Sequence, residues 1–136
     1  MTNPSADSRS VVVERELSHP PEKVWRALTE PMLIEEWLMK NDFMAVVDHH
    51  FDLKFEWGAV SCRVLEVHPP EKLVYTWNAG ELRTTVTWTL TPTNSGTRLH
   101  MQQEGFKDEQ PRYYSGARAG WPRFLEALER VLTQLD

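Results

Sequence analysis

Over residues 43–105 apolar and polar side chains alternate with a period of two, and this stretch constrains the fold more than any other part of the chain. Phe51, Leu53, Phe55 and Trp57 alternate with His50, Asp52, Lys54 and Glu56. Leu82, Val86, Trp88 and Leu90 share one parity with Thr84, while Arg83, Thr85, Thr87, Thr89 and Thr91 take the other. Successive side chains of a strand point to opposite faces, so these are antiparallel strands with one buried and one wet face. Further strands are predicted over 59–67, 72–78 and 97–104, the last with Leu99 and Met101 inward. Gly58-Ala59, Pro69-Pro70, Ala79-Gly80 and Asn94-Ser95-Gly96 supply the turn chemistry between them. The segment is therefore a meander of about six short strands.

The flanks follow other periods. Residues 10–17 (SVVVEREL) read as a first strand, and 1–10 as a polar, disordered tail. Pro20-Pro21-Glu22 opens a short helix carrying Val24, Trp25 and Leu28, because proline suits a first turn and an acid suits the positive helix end. Pro31 restarts a second helix with Ile34, Trp37 and Leu38 on one stripe. At the C-terminus Trp121, Phe124, Leu125, Leu128, Val131, Leu132 and Leu135 form an apolar helical stripe. Pro122 leaves two starts open for it: near Gly120, or near Gln110 with a kink.

Composition sets limits on function. A chain of 136 residues suits one domain, assigned here to 11–136. Fifteen basic against twenty acidic residues and no basic block disfavour nucleic-acid binding. No apolar run approaches the ~20 residues of a membrane span, and residues 1–10 lack the apolar core of an export signal. The single cysteine, Cys62, permits no internal disulfide and fits a cytoplasmic location.

Strand, two short helices, six-strand meander and long helix is the order of the helix-grip fold. The string PEKVWRALT (21–29) followed by Trp37 resembles the opening of the SRPBCC, or START-like, superfamily. The string VLEVHPPEKLVYTW (64–77) is similar to its heat-shock-protein-90 ATPase-activator-homologue-like branch. So are TLTP (89–92), GTRL (96–99), Gly105-Phe106 and Gly120-Trp121. The resemblance implies an α+β fold in which a curved antiparallel sheet of six or seven strands grips the long C-terminal helix over a cavity. It also implies binding of lipids, hormones or polyketides, with cyclases and stress-response co-chaperones among the relatives, and dimers in this branch. Two departures stand out. Gln103 occupies a position where the branch often has histidine, and Asp48-His49-His50-Phe51 stands where a Gly-Gly pair is common.

The inward strand parity, the stripe of the second short helix and the last helix supply the candidate ligand-lining set. Its apolar members are Trp37, Phe51, Phe55, Trp57, Tyr75, Trp77, Trp88, Met101, Trp121 and Phe124. Such a set either lines a small-molecule cavity or packs into a filled core. Three polar residues interrupt the pattern: Arg15, His49 and Gln103. A buried polar group needs a partner, so each is a candidate ligand contact or one half of an internal pair. Gln103, which both donates and accepts, suits orienting a ligand; only His49 and Tyr75 offer acid–base chemistry.

His19, His49, His50, His68 and His100 lack metal-ligand spacing, and Cys62 lacks a nucleophile's signature, so no metal site, catalytic residue or cofactor is assigned. The expected function is binding of a hydrophobic or amphipathic small molecule between sheet and C-terminal helix. The alternatives are a co-chaperone-like interaction module, with a chaperone partner, and a polyketide-cyclase-like enzyme. A homodimer is left open by the strand edges of an unclosed sheet.

Overall fold

The structure is a computed structural model that describes residues 8–56 and 58–135. Strand β1 (Ser8–Leu17) is followed by helices α1 (Pro21–Thr29) and α2 (Pro31–Trp37) and a two-residue strand β2 (Lys40–Asn41). The meander comprises β3 (His50–Phe55), β4 (Gly58–His68), β5 (Lys72–Ala79), β6 (Leu82–Thr93) and β7 (Gly96–Lys107), and α3 (Pro111–Gln134) ends the fold. All seven strands form one antiparallel sheet in the order β1-β7-β6-β5-β4-β3-β2. The sheet is curved, with α3 along it: this is the helix-grip arrangement.

Local chemistry sets the boundaries. Pro20, extended at φ −67° and ψ 155°, precedes α1, and Pro21 occupies its first turn, where a missing N–H costs nothing. Glu30 is extended ahead of Pro31, which separates α1 from α2. Trp37 Nε1 donates to the Ala27 carbonyl at 2.8 Å and ties the two helices together. The polar tail expected over 1–10 is corrected at its end. β1 already begins at Ser8, because β7 continues to Lys107 and pairs Ser8 with Lys107 and Arg9 with Phe106.

Of the two starts for the last helix, the earlier is observed, and α3 runs on through Pro122. Proline removes the hydrogen bond to the Arg118 carbonyl, but both residues are exposed, so water can take that acceptor. The two halves of α3 differ in what they bury. Trp121, Leu125, Leu128, Val131 and Leu132 are buried in its C-terminal half, whereas 111–120 contain no buried residue. The interior divides accordingly. Beneath the C-terminal half aromatic rings meet edge to face. Trp88 contacts Trp37 and Trp121, both at 5.7 Å between centroids, and Phe43, Phe51 and Tyr75 form a second cluster.

Candidate functional site

Beneath the N-terminal half of α3 lies a cavity of about 270 Å³. Its sheet wall consists of Trp77 and Ala79 from β5, Leu82 from β6, and Gln103 and Phe106 from β7. Its helix wall runs from Arg112 and Tyr113 to Trp121 and Phe124 and includes Gly116, Ala117 and Gly120. These small residues explain why the space is open. A Cβ on Gly116 would meet nothing within 4 Å, and one on Gly120 would meet only Phe124 Cε2, at 3.9 Å. Glycine inside a helix costs roughly 1 kcal/mol relative to alanine, so two of them weaken the helix where they widen the cavity.

The first turn of α3 is fastened to the β5–β6 hairpin. Gln110 Nε2 donates to the Glu81 carbonyl at 3.3 Å, and the Tyr113 hydroxyl sits over Gly80. Gly80 is in the left-handed region at φ +57°, and a Cβ there would stand 3.0 Å from that hydroxyl. Both the turn and the close approach require glycine.

The floor is polar and fully connected. Trp121 Nε1 donates to Gln103 Oε1 at 2.6 Å, Gln103 Nε2 donates to Thr84 Oγ1 at 2.9 Å, and Thr84 Oγ1 donates to the Trp77 carbonyl at 2.7 Å. An indole N–H can only donate, so the amide orientation and the direction of the whole chain are fixed. Gln103 is 1% exposed and Trp121 likewise. Trp121 divides the filled core from the cavity, packing on Trp88 on one side and on Trp77 and Phe124 on the other.

Phe106 reaches the cavity through a bulge. β1 pairs Ser10 with Glu104 and Arg9 with Phe106, which leaves Gly105 extra on β7. Gly105 has φ +112°, and a Cβ there would lie 2.8 Å from the Arg83 carbonyl. The extra residue reverses the parity of β7, so Phe106, outward by the count from Met101 and Gln103, turns inward and is fully buried.

The residues singled out from the sequence fall in three places. Trp77, Gln103, Trp121 and Phe124 line the cavity. Phe51, Tyr75, Trp88 and Met101 are inward, as their strand parity requires, and Trp37 is buried on the stripe of α2, but all five belong to the packed interior and do not line the cavity. The rest lie elsewhere. Arg15 is half-buried, donates to the Glu14 carbonyl, and lines a separate groove beside Tyr114 and Arg118. His49 bonds the Asp42 carbonyl through Nε2, at the β3 side of the sheet. Phe55 corrects the expected inward placement: it is 40% exposed, because β3 ends there and its ring lies across Gly58. Trp57 lies outside the described residues. Sequence reasoning missed Leu82, Phe106, Tyr113 and the small residues of α3 as cavity walls.

Burial pushes the pKa of the Tyr75 phenol and of the Cys62 thiol well above their ordinary values, so both stay neutral at physiological pH. Tyr75 accepts from Trp88 Nε1 at 2.9 Å. Cys62 is 3% exposed, so iodoacetamide at pH 8 should label it only after denaturant is added. Labelling of the native protein at the rate of free cysteine would show that β4 opens locally. Among the described residues no three His, Cys, Asp or Glu side chains group as metal ligands, and no helix is long and apolar enough to cross a membrane.

Comparison with known proteins agrees with this fold. Protein MLL2253 from Mesorhizobium loti is 55% identical, with a TM-score of 0.92 over 94% of this chain and 99% of that one. Protein BH1534 from Bacillus halodurans is 29% identical, with a TM-score of 0.80 over 91% and 96%. CalU16 from Micromonospora echinospora, 22% identical with a TM-score of 0.81 over 98% and 82%, shares the fold. Among curated proteins none matches. The family model described as "Activator of Hsp90 ATPase homolog 1-like protein" matches residues 18–133. The matched span takes in the helices, the meander and nearly all of α3, and the chain accordingly belongs to this family, a branch of the SRPBCC superfamily.

Proposed function

We propose that the protein binds a small hydrophobic or amphipathic molecule in the cavity between the sheet and the N-terminal half of α3. One observation carries the reading: a space of about 270 Å³, walled by Trp77, Leu82, Phe106, Trp121 and Phe124, lies where α3 has glycines in place of large side chains. An apolar cavity of roughly 150 Å³ holds benzene, so this one accommodates an apolar body of about eleven non-hydrogen atoms. Burial of such a body is favourable at about 25 cal/mol per Å². The amide of Gln103, the guanidinium of Arg112 and the phenol of Tyr113 are polar groups of the kind that orient a ligand.

Decan-1-ol, which has eleven non-hydrogen atoms, is the probe. Calorimetric titration should give a dissociation constant in the range of micromolar to tens of micromolar, about −6 to −8 kcal/mol, with a negative heat-capacity change. Gly120→Leu places a side chain in the cavity and should weaken decan-1-ol more than tenfold. The same change should hold or raise the melting temperature, because leucine is the better helix former by up to about 1 kcal/mol. Loss of binding without loss of stability separates a filled cavity from a damaged fold. Decan-1-ol failing to bind the native protein, or binding Gly120→Leu equally well, would sink the reading.

A further inference from the structure

We infer that the ligand of this cavity is a monoanion whose carboxylate is read by Arg112 at the rim, an inference that rests on the cavity being a binding site. Among the described lining residues Arg112 alone carries a charge, and the rest of the wall is apolar apart from an amide and a phenol. Its guanidinium makes no ion pair and no hydrogen bond with any described residue, in contrast to Arg9, Arg26, Arg63, Arg98 and Arg130, each of which is paired with a carboxylate. Arg112 stands one helical turn before Gly116 on the same face of α3, so no side chain separates it from the open space.

A ligand lying along the cavity meets apolar rings over most of its length and a single forked donor at the rim. That pairing of features selects an amphiphile with one planar, singly charged acceptor. A carboxylate meets a guanidinium through two parallel hydrogen bonds. A phosphate monoester, close to two negative charges at neutral pH, would find one cation where it needs more. Glu81 and Glu109 line an adjoining depression together with Arg112 and Tyr113, and neither forms an ion pair with the guanidinium. Their negative field opposes an anion, and the rim is exposed to solvent, so the preference is moderate. A factor of about five is expected for a partly screened pair of this kind. The same field sets the selectivity against cations less sharply than an all-basic rim would.

The probes are decanoate, decan-1-ol and decylammonium, which share one tail and differ at the head. At pH 8 and low ionic strength, decanoate should bind about five times more tightly than decan-1-ol, and decylammonium more weakly than either. Arg112→Gln should abolish the advantage of decanoate, so that the ratio of its affinity to that of decan-1-ol falls from about five to about one. Raising the salt to about 0.5 M should shrink the decanoate advantage in the native protein and leave decan-1-ol unchanged. Equal affinity of decanoate and decan-1-ol for the native protein would overturn the inference and leave the cavity reading standing. So would an Arg112→Gln variant that weakens both alike. Failure of all three probes to bind would overturn the cavity reading and the inference together.

Discussion

Trp88→Ala is expected to destabilise the protein by about 4–8 kcal/mol in urea titration, the largest effect of any single truncation in the interior. Trp88 is fully buried on β6, with its ring edge-on to Trp37 of α2 and to Trp121 of α3. It therefore joins the sheet to both helical layers at one point. Removing the indole leaves a void that neither helix can close without losing its own contacts, and a large-to-alanine change of this type costs about 3–5 kcal/mol. It also strips the Tyr75 hydroxyl, buried beside it, of the Nε1 donor at 2.9 Å, which adds roughly 1–3 kcal/mol. The melting temperature should fall by roughly 15–30 °C. Trp88→Phe keeps most of the ring and loses only the donor, so it should cost about 1–3 kcal/mol. A Trp88→Ala penalty below about 1 kcal/mol would mean that the three layers do not meet at this ring.

Much of this was legible in the sequence because it repeats. The parity of β6, with Leu82, Thr84, Val86, Trp88 and Leu90 inward, is observed residue by residue, and so is the stripe Trp121, Leu125, Leu128, Leu132 on α3. Gln103 stood out as the polar member of an inward row, and it is buried with its oxygen bonded by Trp121 and its nitrogen bonded to Thr84. What parity could not show was the position of the cavity. A cavity is made by side chains that are missing, and Gly116, Ala117 and Gly120 carry no hydrophobic signal. They acquire meaning only once α3 is known to begin at Pro111, well ahead of Pro122. Phe106 was hidden for a second reason. The alternation counts it outward, and only a glycine inside a strand hints at the bulge that turns it around. Phe55 failed in the opposite sense: its parity is inward, but it stands at the end of β3 and is 40% exposed. Periodicity reports which face a side chain takes, and says nothing about whether another element covers that face.

Gln103→Leu should cost about 2–4 kcal/mol, because it leaves the buried Trp121 N–H without an acceptor while keeping nearly the same volume. The more informative change is Gln103→Glu. When protonated, a glutamic acid reproduces the glutamine: its carbonyl oxygen accepts from Trp121 Nε1 and its hydroxyl donates to Thr84 Oγ1. When ionised it can only accept, and it is buried among rings with no described cation bonded to it. Burial therefore raises its folded-state pKa above the unfolded value of about 4.3. The unfolded chain then loses its proton first as the pH rises, and binds fewer protons than the folded one. Stability is fully retained below about pH 4, falls as the pH climbs through the interval between the two values, and levels off above the folded value. A displacement of about two units would remove roughly 2.7 kcal/mol by pH 7. Urea midpoints of Gln103→Glu measured against the native protein should accordingly agree near pH 4 and diverge by pH 7. An equal deficit at both pH values would mean that the position tolerates neither form, and that the Trp121–Gln103–Thr84 chain is not what holds the cavity floor together.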